Sequence, residues 1–409
     1  MAIAFYRDPA PGRGGAVLAA AFLAALLLAC GAAAQAAPFV PQSGAQVLET
    51  LPRSSAASDA GLRALRSRLA GNPYDALLAA SVAQRYIELG RAASDPRYFG
   101  YAQAALAPWW RQAAPPPALR LLRATLLQTG HRFDAALADL HAVVRSDPSN
   151  AQAWLTLATV QVVRGEPGAA MGSCGHLAPL AGQLVAVTCL ANARAANGEL
   201  ASSERLLALV LDRTQGEQPA TRVWALTLLG EIAARRGEGG LAAARYRQAL
   251  ALAPEDSYLL AAYADLLLAQ QRHGEVLALL RERQRVDALL LRYALALAGS
   301  DADSTLQRAA RDELQARFDA AARRGEALHQ REQARFALYL QHDARSALRL
   351  ALDNWRVQKE PADLRIVLEA ALAARNPAAV REVLAWRRRQ GMEDAAIAQL
   401  ARRLEGSAS

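Results

Sequence analysis

A small side chain returns at a fixed place in one predicted helical pair after another, about every 34 residues, and no other feature limits the fold as much. The clearest copy runs from Val223 to Pro254. Leu229-Gly230 is followed by Ala233, a turn at Gly237, then Ala242, Tyr246, Ala249 and Pro254. Two antiparallel helices approach closely only where both carry small residues, here Gly230 and Ala242, and a bulky neighbour such as Tyr246 fills the adjoining gap. Gly237 supplies the turn, and Pro254 ends the second helix where its missing N–H matters little.

The register recurs. Ala124, Leu127, Ala136, Leu140 and Val143 precede Pro148; Trp154 to Ala158 lead to Gly165 and Ala170; Leu190-Ala191 lead to Gly198 and Ser203. Upstream, Val82-Ala83, Tyr86 and Gly90 occupy the same places, with Arg91 to Arg97 read as a lengthened turn before Ala102, Leu106 and Trp109-Trp110. Ala264, Leu267 and Val276 form a weaker copy. The pattern resembles the tetratricopeptide signature of Trp-x2-Leu-Gly-x2-Tyr, Ala-x3-Phe and Pro. That resemblance implies an all-α fold, an α-solenoid wound as a right-handed superhelix of about eight helical hairpins. The array is expected over 59–298. Degenerate pairs and a C-terminal capping helix (Ala395 to Leu404) are expected over 299–409.

Composition agrees with a folded helical chain: 53% of the 409 residues are hydrophobic and 21% are charged, which excludes a disordered tail. Lys+Arg number 47 against 38 Asp+Glu, a net charge of +9 carried almost wholly by arginine, Lys359 being the one lysine. Acids such as Glu275, Glu282 and Asp287 lie among the arginines, so the charge reads as solvated helix faces and no nucleic-acid partner is expected. The run Arg387-Arg388-Arg389 is the strongest local concentration, suited to an anionic surface.

Residues 1–36 read as an export signal: Arg7 and Arg13, an apolar run from Ala16 to Ala29, then small residues ending in Ala36. Two processing routes stay open beside an uncleaved anchor, for which the apolar run is near the lower length limit. Leu27-Leu28-Ala29-Cys30 resembles a bacterial lipobox, in which Cys30 becomes lipidated, although Leu28 departs from the small residue usual there; cleavage after Ala34 or Ala36 fits equally. The expected location is outside the cytoplasm, in the periplasm or on the outer membrane as a lipoprotein. Membrane contact is expected only through such an anchor. Residues 37–58, rich in Pro and Ser, read as a flexible tether. Cys174 and Cys189 then remain on successive helices, either as a disulfide or as two buried small residues.

No catalytic constellation stands out: there is no nucleophile elbow, no phosphate-binding glycine loop and no Cys-x2-Cys pair. No cofactor, no metal site and no enzymatic activity are expected. In tetratricopeptide arrays the first helix of each unit lines a groove that takes a peptide or partner protein. Carried over position by position, the resemblance implies a groove of Gln84, Glu88, Thr125, Gln128, Gln152, Thr159, Thr188, Asn192, Trp224, Thr227, Glu231, Arg235, Tyr258 and Asp265. A second candidate patch comprises His329, Arg331, Glu332, Trp355 and Lys359. The expected function is a scaffold or adaptor of the bacterial cell envelope; a glycan-binding or cell-wall accessory role is the alternative.

Overall fold

The computed structural model describes Ser43 and residues 56–323 and 330–406, and every regular element among them is helical. The export signal, Cys30 and His329 lie outside the described residues. α1 (Ala56–Gly71) begins inside the stretch read as a tether. α2 (Ala76–Ala93) forms a hairpin with α3 (Arg97–Ala105), and a single turn, α4 (Ala107–Trp110), follows. The expected long turn after Gly90 is absent: Arg91 to Ala93 continue α2, and Ser94 in the left-handed region ends it.

The hairpins that follow are α5 (Pro117–Thr129) with α6 (Phe133–Ser146), α7 (Ala151–Val163) with α8 (Pro167–Gly175), and α9 (Gln183–Ala196) with α10 (Leu200–Arg213). Then come α11 (Pro219–Arg235) with α12 (Gly239–Leu252), α13 (Ser257–Ala269) with α14 (His273–Leu280), and α15 (Asp287–Ala298) with α16 (Ser304–Arg323). α17 (Gln330–Tyr339) pairs with α18 (Ala344–Val357), and α19 (Pro361–Ala373) packs on a 3-10 turn (Pro377–Val380). α20 (Arg381–Gln390) and α21 (Ala395–Gly406) complete the order, with α21 against α19.

Helix starts follow local chemistry. Pro117, Pro167, Pro219 and Pro361 open their helices, where a missing N–H is harmless. Asp75, Asn150, Asp256 and Asp343 accept hydrogen bonds from the first-turn amides of α2, α7, α13 and α18. The crossing of α11 and α12 shows why a small residue is needed at position 230. A Cβ on Gly230 would lie 2.6 Å from the Tyr246 ring, so the two helices nest through that glycine.

Residues 60–409 form one unit. The largest core cluster within it runs through α9 to α15, around Leu207, Leu229, Ile232, Leu259 and Leu267. A second joins α17 to α21, around Leu348, Trp355, Leu364, Val367 and Ile397. The chain also meets itself across long sequence intervals: the Ser94 and Ser257 hydroxyls share a hydrogen bond of 2.6 Å.

Candidate binding groove

The first helices of the hairpins form one continuous row, each packed on the next: α2, α5, α7, α9, α11, α13, α15, α17 and α19. Within most hairpins the first helix ends in a residue of the left-handed region. These residues are Ser94, His131, Gly165, Gly198, Gly237, Gln271, His342 and Arg375. A shared row, a shared turn and the Gly230–Tyr246 nest settle the architecture. The chain is an all-α solenoid of stacked helical hairpins.

No family model matches the sequence, and no curated protein is similar to it. Solved structures that superpose include the APC/C hetero-tetramer Cut9-Hcn1 (12% identity, TM-score 0.40, 76% of this chain and 52% of that one). The human IFIT1 dimer with PPP-AAAA superposes at 13% identity and TM-score 0.45, over 86% of this chain and 87% of that one. A tetratricopeptide repeat protein from Parabacteroides merdae does so at 12% identity and TM-score 0.34, over 71% and 97%. The chain thus spans about half the length of the matched Cut9-Hcn1 chain.

The solenoid's row carries the expected groove residues, but they are not one open surface. At the α2 end Gln84 and Glu88 are exposed and hydrogen-bonded to each other at 3.2 Å. Leu77 lies two turns before Gln84 on the same face of α2 and is 81% exposed, with Tyr74 just ahead at 77%. Neither apolar residue was read as part of the groove; an exposed leucine one heptad before Gln84 was the available signal. Thr125, Gln128, Thr159 and Asn192 are half-buried and Gln152 is exposed.

Thr188 and Thr227 correct the expectation. Both are buried, and each hydroxyl donates to the carbonyl four residues earlier, Leu184 and Val223. A threonine satisfied in this way turns its methyl group to the core and offers nothing to a ligand. Trp224 is half-buried against the cluster containing Cys174 and Cys189. Those cysteines, on α8 and α9, form a disulfide with Cα atoms 5.6 Å apart.

Further along the row, at α11 and α13, Tyr258 is 63% exposed, while Glu231 and Asp265 meet residues of the chain's own C-terminal part. The Tyr258 hydroxyl donates to Glu231 at 2.6 Å, and both residues lie within electrostatic reach of Glu360. Burial pushes the Glu231 carboxyl up to about 7; Glu360 adds to the rise, while the Tyr258 hydrogen bond and Arg235 oppose it. Asp265 accepts from Arg292 at 2.6 Å and from Arg335 at 2.8 Å. Burial alone would raise Asp265, but the two guanidiniums outweigh it and hold the carboxyl well below the usual carboxylate range.

The second patch therefore faces the first. Arg331 donates to Glu360 and to the buried Asp363, and Glu332 is within electrostatic reach of Arg292. Trp355 is buried, edge-on to Trp386 with centroids 4.9 Å apart, so it is core rather than docking surface. The Lys359 amide donates to the Val163 carbonyl.

A seam runs along three consecutive turns of the array, at Gly165, Gly198 and Gly237. Lys359 and Trp386 crowd Gly165, the Gly391 backbone meets Gly198, and Ala395 touches the space beside Gly237. Arg164 donates to the Val357 carbonyl at 2.9 Å, and Arg235 donates to the Glu393 carbonyl at 2.9 Å and the Ala195 carbonyl at 3.0 Å.

Among the described residues no group of three or more His, Cys, Asp or Glu is placed to hold a metal ion. Among them no helix is long and apolar enough to cross a membrane.

Proposed function

We propose that the protein is a non-enzymatic binding scaffold exported to the bacterial envelope, and that its partner polypeptide lies along α2, α5 and α7. One observation carries this reading. The α2 end of the row leaves Tyr74 and Leu77 exposed beside Gln84 and Glu88, while at α11 and α13 Asp265 is held by Arg335 of α17 and Glu231 lies within reach of Glu360, leaving Tyr258 as the exposed aromatic there. An apolar anchor flanked by amide and carboxylate groups is the mixture expected where a few side chains dominate binding. Gln128 and Gln152 continue the polar edge on the next two inner helices.

The envelope location rests on the sequence of residues 1–36 and on the Cys174–Cys189 disulfide, a bond that persists in oxidising compartments. Anchoring through Cys30 and release as a soluble protein are distinguished by the mass of the mature N-terminus.

The test is photo-crosslinking in cells from residues introduced at Gln84 and Gln152, followed by mass spectrometry, in wild type and Leu77→Glu. A partner captured from both positions and lost with Leu77→Glu supports the reading. Equal capture in the variant overturns it.

A further inference from the structure

The seam between the array and the C-terminal helices carries an open cleft of about 570 Å³ that the proposed function does not use. Arg235 ends α11, Arg236 caps it, and Arg387 and Arg388 come from α20. Met392 and Ala398 supply apolar lining. A space of this size is in the range that takes a small organic ligand.

Four arginines in and around this cleft stand beside Glu204, Glu238, Glu393, Asp394 and Glu405, so its charge is balanced, but its hydrogen bonds are not. Arg236 pairs with Glu204 and Glu238, and Arg388 with Glu405 at 3.0 Å. Arg235 is engaged by the Ala195 and Glu393 carbonyls and lies 4.0 Å from Asp394. The acids are spent too: Asp394 caps α21 through the Ile397 amide, and Glu393 accepts from the Leu200 amide at 3.4 Å. The Nε of Arg235 is buried without a hydrogen-bond partner, although its guanidinium is held by two carbonyls, and among the described residues Arg387 is left with no acceptor at all. It is half-buried, its Nε is fully buried without a hydrogen-bond partner, and no acceptor among the described residues takes its guanidinium. A partly desolvated guanidinium without an acceptor is unfavourable, and a carboxylate or phosphate satisfies it in paired, charge-assisted hydrogen bonds.

We propose that this cleft binds a small organic anion, with Arg387 taking its carboxylate or phosphate group and Met392 and Ala398 covering its carbon skeleton. Because the walls come from both sides of the seam, the ligand fastens α20 and α21 to the array.

Two probes distinguish the anion's chemistry: citrate for carboxylates and pyrophosphate for phosphates, each compared with sodium chloride of equal ionic strength. One of them, at millimolar concentration, is expected to raise the melting temperature of the full chain by about 3 °C over the chloride control. Arg387→Gln is expected to abolish the rise. Arg389→Gln, an exposed position on the same helix outside the cleft, is expected to keep it. No rise with either probe, or equal loss in both variants, overturns the proposal. Should Arg387→Gln not fold, hydrogen exchange of the wild type decides. Protection gained at 235–238 and 387–395 on adding the probe supports the site, and protection elsewhere or none overturns it.

Discussion

The amide of Lys359 donates to the carbonyl oxygen of Val163, 2.7 Å away, and so ties the loop before α19 to the end of α7. This bond belongs to a seam that also includes Gly198 against Gly391 and Arg235 against Glu393. The C-terminal helices both continue the row, through α17 and α19, and reach back to its middle turns.

Gly198 is expected to be the least substitutable turn. Its φ is +87°, and a Cβ there would overlap the carbonyl oxygen of Gly391. Gly237 has φ +82°, but a Cβ would meet only the Ala395 methyl at an ordinary 3.7 Å. Gly237→Ala should therefore show the left-handed backbone penalty alone, about 1–2 kcal/mol. Gly198→Ala should lose at least about 2 kcal/mol more through overpacking. Urea unfolding of the two variants side by side measures the difference, and equal losses would contradict the seam.

Glu231 makes stability fall as pH rises. Its carboxyl sits near 7 in the fold against 4.5 for the free group, so the folded state holds the proton more tightly between those values. The native state is thus penalised progressively from about pH 4.5 upward, and fully above about pH 7, by at most about 3 kcal/mol. Glu231→Gln keeps an acceptor for the Tyr258 hydroxyl and removes the charge. The variant should be more stable than wild type at pH 8, with a flatter pH profile between 5 and 7. A profile unchanged by the substitution would refute this.

Asp265 acts in the opposite sense. It neutralises Arg292 and Arg335 together, and Arg292 is buried. Asp265→Asn leaves two guanidiniums facing each other. The loss should be about 2 kcal/mol, below the 3–5 kcal/mol of a fully buried pair because the Asp265 side chain keeps some solvent contact. Faster hydrogen exchange in both α13 and α17 is the accompanying signature.

Reduction of the Cys174–Cys189 bond should destabilise the α8–α9 region. The bond closes a loop with a sequence separation of 15, for which chain entropy gives about 3 kcal/mol. Peptide mapping of the unreduced protein should recover the two cysteines in one linked species. A double Cys→Ser variant should melt lower.

Much of this was legible in the sequence because it is local. Gly230, Ala242 and Tyr246 act between neighbouring helices, and the turn glycines cap the helices that contain them. The groove was legible only by position. Thr188 and Thr227 have the right register, yet a threonine hydroxyl satisfied by its own helix is indistinguishable in sequence from one facing solvent. Trp355 looked like an aromatic in a polar patch, and its burial depends on Trp386 in another helix. One signal for the seam was present. Five equivalent turns use Ser94, His131, Gln271, His342 and Arg375 in the left-handed region, so glycine is not obligatory for the turn itself. Three consecutive glycines, at 165, 198 and 237, mark where the returning chain leaves least space.

That return imposes an order on biogenesis. Each hairpin packs on the one before it, but the turns at 165, 198 and 237 gain their full cover only after residues 386, 391 and 395, in that order, have been made. A nascent or truncated chain thus carries a bare strip in its centre, open to whatever factor escorts it, until the last helix closes the circuit.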